Sequence, residues 1–102
     1  MIIVSGVIKV KTEAEIQRVK AALIRRAEKS RSDEGCLDYV FSVSVDDDKE
    51  IRLYEVWESE ELLNAHLMVP DEEFNQMLAT AEIESAKVDM HEVSLSRELM
   101  RR

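Results

Sequence analysis

A chain of 102 residues has room for one domain with one modest core, and its 45% apolar and 35% charged residues are typical of a folded globular protein. Its formal charge of −8, from 22 acidic and 14 basic residues, argues against a nucleic-acid partner. The apolar runs are far too short to span a bilayer, and the start has neither a basic segment nor a cleavage-site pattern, so we expect a cytoplasmic protein without a membrane partner. Cys36 is the only cysteine, which excludes an internal disulfide and a cysteine-based zinc site.

The first third of the chain predicts a strand followed by a helix. Residues 2–10 are rich in isoleucine and valine and lack helical spacing, which indicates a strand. Thr12 followed by Glu15 fits the capping-box pattern, in which each side chain bonds a free backbone N–H group at a helix start. Apolar residues then recur at three- and four-residue steps: Ile16, Val19, Leu23 and Ala27. This stripe predicts an amphipathic helix, with Gly35 in the turn out of it.

The middle of the chain predicts a β-hairpin. Apolar residues alternate with mostly polar ones from Leu37 to Val45, which indicates a second strand. The acidic run at 46–49 is the expected turn, and residues 51–57 are the expected third strand, paired with the second as a hairpin.

A second helical region follows the hairpin. Ser59 is the expected N-cap of the helix. Four residues share one predicted face of it: Leu62, Ala65, His66 and Val69. Pro70 interrupts the helix because proline lacks a backbone N–H group, and Asp71 is placed to cap a second piece. Alternation at residues 86–90 predicts a last strand, and the tail has weak helical character.

The element order is β-α-β-β-α-β, the ferredoxin-like plan of the α+β class. One domain is expected to span residues 1–102, with a core from about residue 2 to residue 95 and a tail at 96–102. Helices cover only one face of such a sheet, so the other face of a monomer should be polar.

Apolar residues nevertheless occur on both faces of the predicted sheet. Ile3 and Val7 point away from the main apolar set of the first strand, and Val40, Tyr54 and Val56 oppose the main sets of their strands. A second copy of the same sheet is the simplest cover, so we predict a homodimer with its sheets face to face. The alternative is a monomer with scattered surface valines, since single exposed apolar residues are common.

Three short motifs and their spacing resemble one known family. They are EGC at 34–36, leading into a strand, WES at 57–59, and AHL at 65–67 with Pro70 following. From about residue 2 to residue 95 the chain resembles the antibiotic biosynthesis monooxygenase family, closest to its quinol-monooxygenase-like members. The resemblance implies a dimeric α+β barrel. The family includes cofactor-free oxygenases, haem-degrading enzymes and an isomerase, so the fold alone does not assign the chemistry.

The resemblance implies a cofactor-independent monooxygenase that oxidises a small aromatic or quinol substrate with O₂ and uses neither a cofactor nor a metal. In such relatives the substrate is deprotonated and its anion passes an electron to O₂, so the protein supplies a dry pocket, a base and hydrogen-bond donors. His66 is the expected base, because neutral imidazole is available near neutral pH. The expected substrate-binding residues are Trp57 as an apolar wall, Tyr39, Tyr54 and Asn64 as donors, and Asp71.

Each candidate also has a structural interpretation. His66 shares a predicted helix face with apolar residues, which equally fits a partly buried imidazole bonded to a backbone carbonyl. Trp57 and Tyr39 fit core positions, and Asn64 fits a solvent-facing one. Asp71 stands where many quinol-monooxygenase-like relatives carry a second histidine, and it suits a base, a partner that orients His66, or a helix cap.

Haem binding is not expected, because the haem-degrading branch carries an asparagine in place of Ser5 or Gly6, a tryptophan in place of His66 and the ligating histidine in place of Asn75.

Two other functions stay open. One alternative is a dimeric module that binds a small apolar ligand without turnover. The other is an isomerase of a small carbonyl compound, with His66 as the proton shuttle. The identity of the substrate and the pathway are beyond what the sequence specifies.

Overall fold

A four-stranded antiparallel sheet carries three helices on one face in the computed structural model of the protein, which describes all 102 residues. The elements are β1 Ile2–Val10, α1 Glu13–Arg31, β2 Cys36–Ser44, β3 Asp47–Trp57, α2 Glu60–Leu67, α3 Glu72–Thr80 and β4 Ile83–Glu92. The strand order in the sheet is β2-β3-β1-β4. The ferredoxin-like α+β fold is therefore confirmed, with its second helix divided into α2 and α3.

The breaks and starts of the last two helices follow the predicted chemistry. The side chain of Ser59 accepts the N–H of Leu62 at 3.2 Å, which caps α2. Asp71 accepts the N–H of Phe74 at 3.1 Å and caps α3, and Pro70 lies between the two helices. Both predicted caps and the predicted interruption are confirmed.

The start of α1 differs from the predicted capping box. Thr12 occupies the N-cap position, but its side chain makes no capping bond. Glu15 instead accepts two hydrogen bonds from Arg18, at 2.8 and 2.9 Å, and one from the backbone N–H of Glu82 at 2.9 Å. The bonds from Arg18 and then from Glu82 lower the pKa of Glu15 from 4.5 to about 2. The capping box is wrong because a bidentate guanidinium is a stronger partner than a backbone N–H group.

The hairpin turn is tighter than predicted. β2 and β3 are joined by a two-residue turn at Val45–Asp46, and Ser44 pairs directly with Asp47. The prediction of a turn over 46–49 is therefore wrong. Asp47 remains in the strand because its carboxylate pairs with Lys9 of the neighbouring strand at 3.3 Å.

The buried face of α2 also differs from the predicted one. Leu63 and His66, three residues apart, are buried, whereas Ala65 and Val69 are exposed. The predicted face that joined Leu62 and His66 to Ala65 and Val69 is therefore wrong. Leu62 is instead half-buried against the turn that follows α1. A helix of only eight residues takes its rotation from the elements at its ends, which a periodic pattern does not describe.

The last strand is longer than the predicted 86–90, and the tail beyond it forms no helix. One backbone bond, from the N–H of Val93 to the carbonyl of Met1 at 2.9 Å, fixes the first residue after the strand. Further along, three large apolar side chains are exposed: Leu95, Leu99 and Met100. The weak helical pattern of the tail therefore does not produce a helix.

Two apolar clusters lie between the helices and the sheet. The first joins the start of β1 to α2 and consists of Ile2, Val4, Ala27, Tyr39, Trp57 and Leu63. The second joins the end of β1 to α1 and consists of Val10, Ile16, Val19, Leu23 and Ile51, with Phe74 and Met77 of α3 packed against it. None of the helices is both long enough and apolar enough to cross a membrane.

The face of the sheet opposite the helices carries the second apolar set. The register pairs Ile3 with Val56 and Val40 with Tyr54, and strand alternation places these residues opposite the helix-covered side. Tyr54 is 40% exposed there. The predicted two-sided distribution of apolar residues is confirmed, and the homodimer that it suggests stays a prediction.

Candidate functional site

Four polar residues meet where the three helices converge on the sheet. Arg26 comes from α1, Asp33 from the turn after α1, His66 from α2 and Asp71 from the start of α3. We call these four residues the polar cluster. The turn at Gly35, whose backbone has a φ of +83°, reverses the chain just after Asp33 and confirms the predicted role of this glycine.

His66 uses both ring nitrogens within the polar cluster. Its Nδ1 lies 2.6 Å from a carboxylate oxygen of Asp33, and its Nε2 lies 3.1 Å from a terminal nitrogen of Arg26. A guanidinium can only donate, so Nε2 is the acceptor in this contact, and Nδ1 donates its proton to Asp33. Asp33 therefore holds the tautomer that keeps the lone pair on Nε2.

Two aromatic rings enclose the imidazole. The Trp57 ring lies 4.6 Å from that of His66 between centroids, tilted by 35°, and the Tyr39 ring lies at 5.9 Å in an edge arrangement. The side chain of His66 is only 2% exposed. The ring is thus fixed in orientation by stacking on one side and by Asp33 on the other.

Arg26 links the imidazole to the protein surface. Its guanidinium lies 3.3 Å from the carboxylate of Asp71 and 4.8 Å over the ring of Phe74. Burial alone would raise the pKa of Asp71, but the N–H of Phe74 and the guanidinium together hold that pKa below its usual value. The Nε of Arg26 is buried and has no hydrogen-bond partner. This donor is the one buried side-chain polar atom that the fold leaves unsatisfied.

A buried carboxylate, that of Glu55, and a buried phenol, that of Tyr39, lie next to the polar cluster. Glu55 is 6% exposed and accepts the indole N–H of Trp57 at 2.8 Å. Burial raises the pKa of Glu55, and the bond from Trp57 only partly opposes that effect. Burial, and then the charge of Glu55, also raise the pKa of the Tyr39 hydroxyl, while Arg26 and Ser30 oppose the rise.

Four of the six predicted site residues come together, and two do not. Trp57 and Tyr39 contact His66 through their rings, and Asp71 reaches it through Arg26. Tyr54 lies on the opposite face of the sheet. Asn64 lies on α2 but is exposed, as its two-residue offset from His66 indicated.

Three residues of this region were not predicted from the sequence: Arg26, Asp33 and Glu55. Arg26 lies seven residues after Val19 on α1, so a charged residue on the apolar stripe was the available signal. Glu55 was equally visible, because strand alternation places it on the same face as Trp57. No sequence pattern pointed to Asp33, because only the fold brings the turn after α1 close to α2.

Two grooves of similar volume lie on opposite sides of α1. The polar groove, between α1 and α3, has a volume of about 410 Å³ and is lined by Ala22, Arg25, Arg26, Glu28, Lys29, Asp71, Glu72 and Glu73. The apolar groove, between α1 and strands β2 and β3, has a volume of about 400 Å³, and its apolar lining includes Ile16, Leu23, Ile24, Phe41, Val43 and Ile51. His66 lines neither groove, and Arg26 separates it from the polar one. No three histidine, cysteine or acidic side chains are arranged to hold a metal ion.

Solved structures with the same fold come from several bacteria. A Deinococcus radiodurans protein named for the antibiotic biosynthesis monooxygenases has 20% identity and a TM-score of 0.86, covering 99% of this chain and 100% of its own. A Nitrosomonas europaea protein of the same designation has 20% identity and a TM-score of 0.79, covering 93% and 100%. Rv0793 from Mycobacterium tuberculosis has 17% identity and a TM-score of 0.72, covering 98% and 100%. These identities establish a shared fold and no shared substrate.

Comparison at the sequence level identifies a family. No curated protein matches the chain. The family model described as antibiotic biosynthesis monooxygenase matches residues 1–79, which include β1 to α2, most of α3 and all four residues of the polar cluster. The chain belongs to the antibiotic biosynthesis monooxygenase family.

Proposed function

We propose that the protein is a cofactor-independent monooxygenase that oxidises a small aromatic or quinol substrate with O₂. His66 acts as the base, and Asp33 orients it. The observation that carries the proposal is the 2.6 Å contact between Asp33 and Nδ1 of His66, which leaves Nε2 as a proton acceptor. Family membership supports the same reaction class.

Arg26 has two roles in this proposal. In the free protein its guanidinium covers Nε2 of His66 and lines the polar groove. A substrate hydroxyl that enters through this groove displaces the guanidinium, donates its proton to Nε2 and becomes an anion beside a fixed positive charge. Asp71 holds Arg26 close by, and the unsatisfied Nε of Arg26 supplies a free donor for the anion.

The electrons come from the substrate. The quinol anion passes an electron to O₂, the two radicals combine at a ring carbon, and the oxygen–oxygen bond then breaks. One oxygen atom stays on the ring as a hydroxyquinone and the other leaves as water, so a quinol and O₂ account for all atoms and electrons. Trp57 and Tyr39 keep the imidazole oriented and dry during the proton transfer.

Binding without turnover is the second candidate. One observation favours it: the side chain of His66 is only 2% exposed, with both nitrogens already bonded. If Arg26 always stays bonded to Nε2 of His66, no substrate reaches this nitrogen, and His66 contributes only to the stability of the fold. The two candidates differ in whether the loss of His66 abolishes oxygen consumption or only reduces stability.

We also propose a homodimer formed through the helix-free face of the sheet. Ile3 pairs with Val56 on that face, and Val40 pairs with Tyr54. Val56 is already buried within the single chain, and a second sheet would remove the remaining exposed surface of Ile3, Val40 and Tyr54 from water. Tyr54→Lys places a charge in the proposed interface and should halve the mass measured by analytical ultracentrifugation. A wild-type protein that sediments as a monomer at every concentration contradicts the dimer.

The test of function is oxygen uptake with a panel of quinols and polyphenols, each corrected for autoxidation in a blank without enzyme. Metal-free wild type should give saturable uptake without any added cofactor. His66→Ala should lower the rate by about 100-fold or more, the usual contribution of a general base. His91→Ala is the matched control, because His91 lies beside Ile3 on the helix-free face, away from the polar cluster, and bonds only Ser5. Its uptake should remain normal once its sedimentation is shown to match that of wild type.

Three results separate the possibilities. Uptake that persists in His66→Ala contradicts the assigned base. Binding of a quinol without oxygen consumption favours the second candidate. Uptake lost in both histidine variants would indicate a general loss of structure, so each variant is first compared with wild type by circular dichroism.

A further inference from the structure

The apolar groove has the form of a small-molecule site. It runs along α1 with Phe41 and Ile51 on the opposite wall, and its volume of about 400 Å³ falls in the usual range for ligand pockets. Ile24 is 48% exposed and Val43 is 46% exposed, although both are apolar and face the same groove. A ligand with an apolar body would cover them.

Two cations border the groove, and neither has a carboxylate partner. Lys20 and Arg31 both line it, whereas the ion pairs of the chain involve other basic residues. The Nε of Arg31 donates to the carbonyl of Tyr39 at 2.9 Å, which fixes the guanidinium. Its two terminal nitrogens remain free for a ligand. Although the chain has a net charge of −8, this groove carries two cations without carboxylate partners, which favours an anionic ligand.

The spacing of these cations gives the groove a length. Lys20 and Arg31 are eleven residues apart on α1, which is about three turns, so they share a face and lie about 16 Å apart along the axis. Lys20 is exposed at one end, and the guanidinium of Arg31 is bonded to the carbonyl of Tyr39 at the other. The region between them is lined mainly by apolar side chains.

We propose that the apolar groove binds a small unbranched carboxylic acid in its anionic form. The carboxylate pairs with the free nitrogens of Arg31, and the apolar chain lies over Phe41 and Ile51 in the direction of Lys20. The groove is separate from the polar cluster and lies on the other side of α1, so this site does not depend on the proposed oxygenase reaction.

The test is a titration of ¹⁵N-labelled wild type with octanoate and, separately, with 1-octanol, which has the same chain without the charge. Octanoate should shift the amide signals of Ala27, Phe41 and Val43 and bind more tightly than octanol. Arg31→Gln should weaken octanoate binding about tenfold, as expected for a charge-assisted bond. Lys20→Met should leave it nearly unchanged, because about 16 Å of helix separate Lys20 from Arg31 and an exposed charge is screened over that distance. Neither variant should change octanol binding.

Lys29→Met is the matched control, because it removes the same charge from the same helix but faces the polar groove. It should leave octanoate binding unchanged. Equal affinity for octanoate and octanol, a loss in Lys29→Met as large as that in Arg31→Gln, or shifts confined to residues outside the groove would overturn the proposal. The comparison of octanoate with octanol needs no variant, so it remains informative even if Arg31→Gln unfolds. Absence of any shift at millimolar octanoate, with self-association on this face instead, would assign the groove to a second copy and reject the ligand.

Discussion

Helix α1 presents arginines to two very different surroundings. Arg26 and Arg31 are five residues apart, about 140° around the helix. Arg26 is almost enclosed, with Asp71, His66 and the ring of Phe74 around its guanidinium. Arg31 is exposed beside an apolar groove and bonds a single backbone carbonyl. The same residue type thus completes an internal network on one side and leaves free donors on the other.

This difference shows how burial decides what a charge does. A buried guanidinium has lost its water, so removing any of its partners leaves a charge that nothing else neutralises. An exposed guanidinium keeps its water, so its removal costs little in stability and acts mainly on ligands. Substitutions on the cluster side should therefore change the free energy of unfolding, and those on the groove side should change binding.

The largest loss of stability is expected from Gly35→Ala. Gly35 has a φ of +83°, and a Cβ atom there would lie 2.4 Å from a methyl group of Leu62. Backbone strain and this clash together should cost about 3 kcal/mol, and they should displace Asp33 from His66. Urea denaturation measures the loss. An unchanged midpoint would mean that the turn can move without affecting the cluster.

Arg26→Met should be the next most costly substitution. It keeps most of the side-chain volume but leaves Asp71 and Nε2 of His66 without their donor, at a cost of about 2 kcal/mol. Arg31→Met is the control on the groove side and should cost less than about 1 kcal/mol. Similar losses for both variants would contradict the distinction between the two sides of α1.

Glu55→Gln tests the buried acid beside the cluster through its pH dependence. Burial raises the pKa of Glu55 in the folded state, so its contribution to stability is fully present below the ordinary glutamate pKa and is lost as pH rises through the raised value. Wild type should therefore lose stability relative to Glu55→Gln as pH rises. Thermal unfolding from pH 4 to 9 measures the difference, with exposed Glu84→Gln as the control. A difference that does not vary with pH would contradict the shift.

Lys20→Met should have the smallest effect on stability. Lys20 is exposed and has no ion-pair partner, so the change in the free energy of unfolding should stay within about 0.5 kcal/mol. Lys29→Met should behave alike. A clear loss for Lys20→Met alone would reveal an interaction within the apolar groove that the free charge does not suggest.

Local patterns were sufficient for most of the fold. The periodicity of α1, the alternation of β2 and the caps at Ser59 and Asp71 follow from chemistry within a few residues, and each is confirmed. The error at the start of α1 arose because other partners compete with the local cap. Glu15 bonds the nearby Arg18 and also the backbone N–H of Glu82, which lies 67 residues away and which no local rule includes.

The polar cluster was only half visible in the sequence for the same reason. His66, Trp57, Tyr39 and Asp71 were identified through the family resemblance, which carries residue types at fixed places. Asp33 contacts a histidine 33 residues away, a distance that only the packing of α2 on the turn after α1 closes. Pairings between elements depend on tertiary structure, and neither composition nor periodicity specifies them.

Asp71 has a consequence for the motions of the protein. One of its oxygens caps α3 and the other pairs with Arg26, so this carboxylate joins the start of the helix to α1, alongside the Arg25–Glu73 ion pair and the bond from Arg18 to the carbonyl of Thr80. α3 has nine residues and none is fully buried, which is too little for a helix to persist alone. We expect α3 to be the first segment to open, with faster amide hydrogen exchange than α1. Each opening would briefly uncover the small apolar cavity beneath Phe74 and Met77. The free energy of opening this one short helix therefore determines how often the interior is accessible.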